Sequence, residues 1–199
     1  MTLGQVHGRF VHTRRIERLG QHLAALVPDN ATVLDIGCGD GQLAQRISEL
    51  RPGLTVRGID VLVRQDTAIP VDEFDGTHIP LADGAVDVAL LVDVTHHAEN
   101  PHVLLKEAAR VARRAVVIKD HLREGLAAEA TLRLMDWVGN ARFGVRLPYR
   151  YWTRDEWRKA LAETGLVVEH WNEKLALYAP PTSLLFDRSL HFVARLRKA

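Results

Sequence analysis

The chain of 199 residues contains a single cysteine, Cys38, so it cannot form an intramolecular disulfide bond. The same scarcity excludes a zinc site that needs several thiolates. Long apolar runs are also lacking: the most apolar stretch, residues 85–94, carries Asp87 and Asp93, so no transmembrane segment is expected. The first residues contain no apolar signal-peptide core, and we therefore expect a cytoplasmic protein.

A net charge is almost absent, at +1, but the charges are unevenly distributed. Residues 1–100 hold 8 Lys and Arg against 14 Asp and Glu, whereas residues 101–199 hold 18 against 11. A general nucleic-acid-binding protein is usually basic throughout. The uneven distribution fits an enzyme with an acidic cofactor-binding half and a basic substrate-binding half.

Short apolar segments alternate with amphipathic helical patterns along the chain. The predicted strands cover residues 32–36, 54–59, 71–74, 86–92, 115–119, 166–177 and 190–196. The predicted helices cover residues 8–27, 42–50, 101–110, 124–138 and 154–163. This alternation predicts an α/β fold: a Rossmann-like, doubly wound, mostly parallel seven-stranded sheet. The last two strands, joined by a loop without a helix, are predicted to form an antiparallel C-terminal hairpin.

A glycine-rich loop, G-x-G-x-G at residues 37–41, follows the first predicted strand and is flanked by Asp35 and Asp40. Gln42 occupies the third-glycine position of the G-x-G-x-x-G dinucleotide fingerprint. A pyrophosphate at this helix N-terminus would meet like charge nearby. A cationic ligand without phosphate, such as S-adenosylmethionine, would not.

Asp60 ends the second predicted strand, 19 residues after the last glycine of the loop. A carboxylate at this position can accept hydrogen bonds from ribose hydroxyls. The alternative interpretation is an aspartate that caps a helix or stabilises a turn.

The segments VLDIGCGDG, GID and FDGTHIPLADGAVDVALLVD, within residues 30–120, resemble the class I S-adenosylmethionine-dependent methyltransferases, in particular their type 11 or quinone-methyltransferase-like branch. The resemblance implies that S-adenosyl-L-methionine is the cofactor, with its methionine part on the glycine loop. It also implies that Asp60 binds the ribose and Asp75 the adenine amino group. The cofactor-binding positions that it implies are Asp35, Gly37, Cys38, Gly39, Gly41, Asp60, Val61, Leu62, Asp75, Gly76, Thr77 and Asp93. Arg15 or His12, in the N-terminal helix, could pair with the cofactor's carboxylate, or this helix could present a solvated basic face.

One departure from the family concerns the segment before Asp75. Only 14 residues separate Asp60 from Asp75, where the family usually places a full helix. We expect a loop or a single turn there, and a more open adenine pocket. The departure also motivates an alternative function, a non-catalytic cofactor-binding or interaction protein of the same fold.

Three histidines follow predicted strands: His96 and His97 after the fourth, and His121, beside Asp120, after the fifth. Histidine is the natural general base near neutral pH. We predict that His97, or else His121 with Asp120, takes part in catalysis; the alternative is a set of surface loop histidines. Asp93, His96 and His97 could also ligate a divalent cation. Because adjacent histidines on a loop rarely point the same way, no metal is expected.

Residues 137–152 are dense in aromatic and arginine side chains. They could form a cover that stacks on a flat or apolar substrate, or a packing patch with solvated arginines. The candidate substrate-contacting residues are His96, Trp137, Asn140, Arg146, Tyr149, Tyr151 and Trp152. Interleaved arginines and aromatics also suit single-stranded nucleic acid. The basic stretch is short, however, and the family's base-methylating N-P-P-Y motif is absent after the fourth strand.

We therefore expect one methyltransferase domain over residues 1–199. Its parts are an N-terminal helix (8–27), a cofactor-binding core (31–120), a substrate-cover segment (121–152) and a C-terminal helix with a hairpin (153–199). The resemblance implies methyl transfer to a small-molecule acceptor, aromatic or lipid-like, and nucleic acid is not expected as a partner. An RNA methyltransferase and the non-catalytic protein remain the alternatives.

Overall fold

The computed structural model describes residues 3–140 and 147–199. The strands are β1 (Thr32–Ile36), β2 (Thr55–Asp60), β3 (Val71–Glu73), β4 (Val86–Val92), β5 (Ala112–His121), β6 (Leu166–Asn172) and β7 (His191–Lys198). The helices are α1 (Leu3–Ala24), α2 (Gln42–Leu50), α3 (Pro101–Val111), α4 (Ala128–Asn140), α5 (Arg154–Glu163) and α6 (Ser183–Phe186), with a short 3-10 helix at Thr95–His97. No helix in these ranges is long and apolar enough to cross a membrane.

The seven strands form one sheet in the order β3-β2-β1-β4-β5-β7-β6. The first five pair in parallel, whereas β7 runs antiparallel to both β5 and β6. This confirms the predicted doubly wound sheet with an antiparallel C-terminal hairpin. The strand order reverses between β1 and β4, and in such sheets ligands bind at the carboxyl ends of the strands near this point.

The sheet is buried on both faces, as the predominantly apolar sequence of β4 requires. Ala89 and Leu91 pack into the core on one face, together with Trp157 of α5. Val88 and Leu90 pack into the core on the other face, against α1 and α2. Because both faces are covered, the ligand-binding surface is confined to the ends of the strands.

Local sequence signals position two of the helices. The Asn100 side chain accepts a hydrogen bond from the Val103 N–H (3.3 Å) at the start of α3. Thr153 and Glu156 form the predicted capping box at the start of α5. Such caps satisfy the backbone N–H groups that the first turn of a helix leaves unpaired.

The structure differs from the prediction in the last connection and in β5. The expected loop without a helix between β6 and β7 contains the single turn α6, which is too short to show a helical period, so this prediction was wrong. The strand expected to extend to residue 177 ends at Asn172. β5 is longer than predicted and runs to His121, so Asp120 and His121 are held in the sheet by β7.

Candidate active site

The glycine loop between β1 and α2 has a backbone that glycine alone adopts easily. Gly37, Gly39 and Gly41 have φ angles of 71°, 60° and 73°. A Cβ at Gly37 would lie 2.6 Å from a methyl carbon of Val94, and one at Gly41 would lie 2.5 Å from Ile69. The loop therefore passes so close to its neighbours that they leave no room for a side chain at Gly37 and Gly41.

Asp35, the fourth residue of β1, places a carboxyl group under this loop. It is 3% exposed, and within the described part of the chain no group donates a hydrogen bond to its Oδ1. Burial, with a smaller contribution from the charge of Asp60, raises the pKa of Asp35 to about 8. An unpaired buried carboxyl fits a cationic ligand, and the predicted cofactor carries an ammonium and a sulfonium.

Asp60, at the end of β2, connects the second strand to the loop. Its Oδ2 accepts a hydrogen bond from the Gly39 N–H (2.8 Å), and its Oδ1 accepts one from the Leu62 N–H (3.0 Å). The turn interpretation of Asp60 thus holds in the structure. The two bonds also fix the carboxylate at the rim of the loop, and a carboxylate has lone pairs left for ribose hydroxyls.

The predicted adenine-binding positions follow β2 and β3. Val61 and Leu62 are more than half exposed, and a Cβ at Gly76 would lie 3.0 Å from Val61. The Asp75 Oδ1 accepts hydrogen bonds from the backbone N–H groups of Thr77 and His78, both at 2.7 Å, which lowers the pKa of Asp75. The segment after β3 thus carries an oriented carboxylate, and its Gly76 lies against the exposed side chain of Val61.

The shortened segment after Asp60 has no helix and packs along the glycine loop. The Ala68 N–H donates to the Asp40 carbonyl (2.8 Å), and Arg64 forms an ion pair with the Asp40 carboxylate (3.3 Å). Ile69 of the same segment fills the space beside Gly41.

The one cysteine of the chain, Cys38, lies in the glycine loop and is half-buried. Burial raises the pKa of its thiol, so the thiol is not activated as a nucleophile.

A second group of polar side chains lies at the ends of β4 and β5. Asp93, which has a φ of 55°, accepts hydrogen bonds from the Arg15 guanidinium of α1 and from the buried Lys119 ammonium of β5. Burial opposes ionisation of Asp93, but these two cations hold its pKa well below the usual value. Arg15, predicted to reach the cofactor, is thus placed at the end of β4.

Three of the predicted residues form a hydrogen-bonded network beside Asp93. The His96 Nδ1 lies 2.6 Å from the Asp120 Oδ1. This oxygen also accepts a hydrogen bond from the backbone N–H of His121 (2.7 Å). Burial alone would lower the pKa of His96, but Asp120 and a second carboxylate raise it to about 10. Burial and the charge of Lys119 lower the pKa of His121 to about 4.

That second carboxylate, Asp136 of α4, connects the network to His97. Its Oδ1 lies 3.5 Å from the Nε2 atoms of both His96 and His97. Its Oδ2 accepts a hydrogen bond from the Tyr151 hydroxyl (2.6 Å). Burial and the neighbouring charge of His96 lower the pKa of His97, whose side chain is 16% exposed. The structure therefore brings both predicted catalytic histidine positions into one cluster.

The predicted substrate-contacting residues divide into two groups. Tyr151 is buried, and its ring centroid lies 5.5 Å from that of His96. The ring centroid of Tyr149 lies 6.5 Å from that of Tyr151. Trp152 instead packs edge-on against Trp157 at 4.8 Å, which fits the packing interpretation. Trp137 is 58% exposed on α4. The side chain of Asn140 and all of Arg146 lie outside the described residues.

Sequence reasoning did not identify Asp136, Lys119 and His191 as members of this cluster. Lys119 Nζ lies 3.4 Å from the His191 Nδ1, because antiparallel β7 places His191 opposite His121 of β5. The available signal was the charge of Lys119 inside an apolar strand, since a fully buried lysine needs a partner. Asp136 carried no such signal, because its helix has other polar residues.

Comparison with known proteins identifies the family. The model of a methyltransferase domain matches residues 7–171. The chain is 34% identical over 102 residues to an uncharacterized methyltransferase of Mycobacterium sp. strain KMS. This alignment covers 48% of this chain and 40% of that protein. It is 27% identical over 187 residues to the malonyl-[acyl-carrier protein] O-methyltransferase of Geobacter sulfurreducens, covering 85% and 68% of the two chains. It is also 32% identical over 92 residues to ribosomal RNA-processing protein 8 of Caenorhabditis briggsae, covering 46% and 26%.

Solved structures show the same fold. The chain superimposes with a TM-score of 0.71 and 17% identity on a protein in the complex between the Haloferax volcanii Trm112 methyltransferase activator and a methyltransferase, covering 98% of this chain and 95% of that one. It superimposes with a TM-score of 0.67 and 18% identity on an S-adenosylmethionine-dependent methyltransferase of Mesorhizobium loti, covering 89% and 96%. The chain spans between about a quarter and two fifths of the length of several curated relatives that it matches. It belongs to the methyltransferase-domain family, with the class I fold whose cofactor is S-adenosyl-L-methionine.

Proposed function

We propose that the protein transfers a methyl group from S-adenosyl-L-methionine to a small-molecule acceptor. The observation that carries the proposal is the adjacency of two sites at the ends of neighbouring strands. The first site lies at the carboxyl end of β1. It consists of the glycine loop and the carboxyl group of Asp35, whose Oδ1 has no hydrogen-bond partner among the described residues. The polar cluster around Asp93 and Asp120 ends β4 and β5, which pair directly with each other, and β4 pairs with β1.

The first of these sites suits the cofactor. Gly37, Gly39 and Gly41 turn the chain tightly with positive φ angles, and Asp35 would provide the buried anion for the methionine ammonium. Asp60, at the rim of the loop, would bind the ribose hydroxyls. The cofactor, when bound, supplies a methyl group on a sulfonium that an acceptor can displace in line.

The second site suits the acceptor. Transfer to oxygen or nitrogen needs the nucleophile aligned with the methyl carbon, water excluded, and a proton removed. His97 is our candidate base because it is the more exposed of the two adjacent histidines, and among the described residues nothing hydrogen-bonds to its Nδ1. Asp136 lies beside its Nε2. His121 is the second candidate, and Asp120 orients His96.

The names of the relatives point to more than one kind of methyl acceptor. The Geobacter relative, whose name gives an O-methyltransferase, aligns along most of the chain and supports an oxygen acceptor. The similarity to the ribosomal RNA-processing protein covers less than half of the chain, which keeps an RNA acceptor as the weaker candidate. The dense hydrogen-bonded cluster at the acceptor end favours a small polar group over an extended strand of nucleic acid.

Thermal melting tests the cofactor assignment directly. Wild type is melted with S-adenosylmethionine, S-adenosylhomocysteine and NAD, each in parallel. A ligand at 100 times its dissociation constant adds about 2.7 kcal/mol of stability, a shift of roughly 5–10 °C for a chain of this size. We expect the first two ligands to shift the melting temperature and NAD to leave it unchanged.

Turnover separates an enzyme from a binding protein. Incubation with S-adenosylmethionine and a cell extract depleted of proteins and nucleic acids is expected to yield S-adenosylhomocysteine and a methylated small molecule, both detected by mass spectrometry. Addition of RNA in place of the small-molecule fraction tests the weaker candidate. Tight cofactor binding without product in either mixture would support the non-catalytic alternative.

A further inference from the structure

The two adjacent histidines and the α4 carboxylate have the spacing of metal ligands. His96, His97 and Asp136 can each offer one ligand atom, and these atoms all lie within 4.8 Å of one another. We propose that these three side chains bind a divalent transition-metal cation, such as Zn²⁺, at the acceptor end of the site.

The distances within this group favour a cation over direct hydrogen bonds. The Nε2 atoms of His96 and His97 each lie 3.5 Å from the Asp136 Oδ1. Ligands at about 2.1 Å from a tetrahedral cation are about 3.4 Å apart, whereas a good N–H to O hydrogen bond spans about 2.9 Å. His96 is 3% exposed, and the described residues provide no hydrogen-bond partner for its Nε2, which faces Asp136.

The outer contacts of the group are those that metal ligands use. The His96 Nδ1 lies 2.6 Å from the Asp120 Oδ1, which leaves the Nε2 on the opposite side of the ring for a ligand bond. The Tyr151 hydroxyl donates to the Asp136 Oδ2, so the Oδ1 is the oxygen directed at the histidines. Metal-bound histidines and carboxylates are usually oriented by such second partners.

A neighbouring group of possible ligands has a different character. The possible ligand atoms of a second group also lie within 4.8 Å of one another; its members are Asp93, His96, Asp120 and His121. There, however, His96 and Asp120 are already 2.6 Å apart, a hydrogen-bond distance, and Asp93 is neutralised by the Lys119 ammonium. A cation added there would face that ammonium, so the ligand set with Asp136 is the one we assign.

Two imidazoles and one carboxylate suit a transition metal better than Mg²⁺, which prefers oxygen ligands. Three protein ligands leave at least one coordination position open for an acceptor oxygen, as in catalytic sites. With the cation bound, His97 is a ligand and not the base, and a coordinated hydroxyl loses its proton to solvent at lower pH. Only this consequence rests on the proposed function; cation binding does not.

Titration calorimetry on chelator-treated protein tests the site, with ZnCl₂ and MgCl₂ as probes. Wild type is expected to bind one Zn²⁺ per chain and to bind Mg²⁺ far more weakly. His97→Ala and Asp136→Asn are each expected to weaken Zn²⁺ binding at least tenfold, and Tyr151→Phe by a smaller factor. His102→Ala is the matched control, because His102 is partly exposed and pairs with Glu163 outside the cluster.

Two further measurements make the outcome decisive. Co²⁺ in place of Zn²⁺ gives visible absorption that reports its ligands, and this spectrum is expected for wild type and His102→Ala but not for His97→Ala. A melting shift with S-adenosylhomocysteine, measured on each variant, shows that the variant is folded and tests the cofactor site independently. Absence of Zn²⁺ binding by wild type, or equal binding by wild type, His97→Ala and Asp136→Asn, would overturn the metal assignment and leave the cofactor assignment standing.

Discussion

Replacing Asp35 with asparagine is expected to stabilise the ligand-free protein and weaken cofactor binding. Burial raises the pKa of Asp35 to about 8, from an ordinary value of 3.8. The folded chain therefore holds a proton that the unfolded chain releases, and stability falls as the pH rises from about 4 to 8. At about 1.36 kcal/mol per pH unit, the cost at pH 7 is at most about 4 kcal/mol.

Asparagine removes this cost, but the free energy of unfolding does not increase by the full amount. Its amide is also buried with incomplete hydrogen bonding, which costs about 1–3 kcal/mol. We therefore expect Asp35→Asn to be more stable than wild type by about 2 kcal/mol at pH 7, a melting increase of about 4–8 °C. The advantage is expected to grow with pH up to about pH 8, to vanish near pH 5.5 and to become a loss near pH 4, where the wild-type cost is gone but the buried amide remains.

Urea unfolding at pH 5, 6, 7 and 8, followed by circular dichroism, measures this difference. Asp72→Asn serves as the control, because it makes the same change of charge at an exposed position on β3, where Asp72 pairs with Arg57. S-adenosylmethionine affinity of Asp35→Asn is expected to fall at least tenfold, since the ligand's ammonium loses its anion. A stability difference that does not change with pH, or a less stable variant at pH 8, would refute the reasoning.

Three other substitutions test separate parts of the structure. Asp60→Ala is expected to abolish S-adenosylhomocysteine-induced melting shifts while the far-ultraviolet spectrum stays native; an unchanged shift contradicts the ribose assignment. Gly37→Ala is expected to lose about 2–3 kcal/mol in urea unfolding, from left-handed backbone strain and contact with Val94. Gly84→Ala, with a similar φ but with its nearest neighbouring atom, Arg113 Cβ, 3.9 Å from the added Cβ, is its control, and an equal loss contradicts the steric argument. Asp87→Asn is expected to lose about 1–2 kcal/mol, because its carboxylate accepts from Thr32 and Arg113, with a pKa lowered to about 2. This difference should persist above pH 4 and shrink below it; a constant difference down to pH 3 contradicts it.

The sequence predicted most of the fold because its signals are local. β1, β4 and α2 have the predicted bounds, since each is an apolar or amphipathic run ended by glycine, proline or charge. The end of β6 and the single turn α6 could not be predicted in this way. The length of β5 could not be either, because its last residues are held by pairing with β7, which is distant in sequence.

The candidate site was predictable to the same extent. Asp35, the glycines and Asp60 form one local motif, so their proximity follows from a strand, a turn and a helix. The cluster around Asp136 brings together β4, β5, α4 and the segment after it, and no local pattern records such contacts. The expectation that His96 and His97 would point apart considered their own loop only. Their rings instead lie 4.1 Å apart and share one carboxylate neighbour from α4.

The charges of the two sites suggest how the protein accommodates a cationic cofactor. Asp93 is already matched by Arg15 and Lys119, so it offers little net negative charge to a new cation. Asp35 has no such partner among the described residues and keeps its proton instead. Arrival of an ammonium beside Asp35 replaces that proton with the ligand's charge, so no net charge is added to the buried carboxyl. Cofactor affinity is therefore expected to rise with pH between 6 and 8 in wild type, and calorimetry should show this slope reduced in Asp35→Asn.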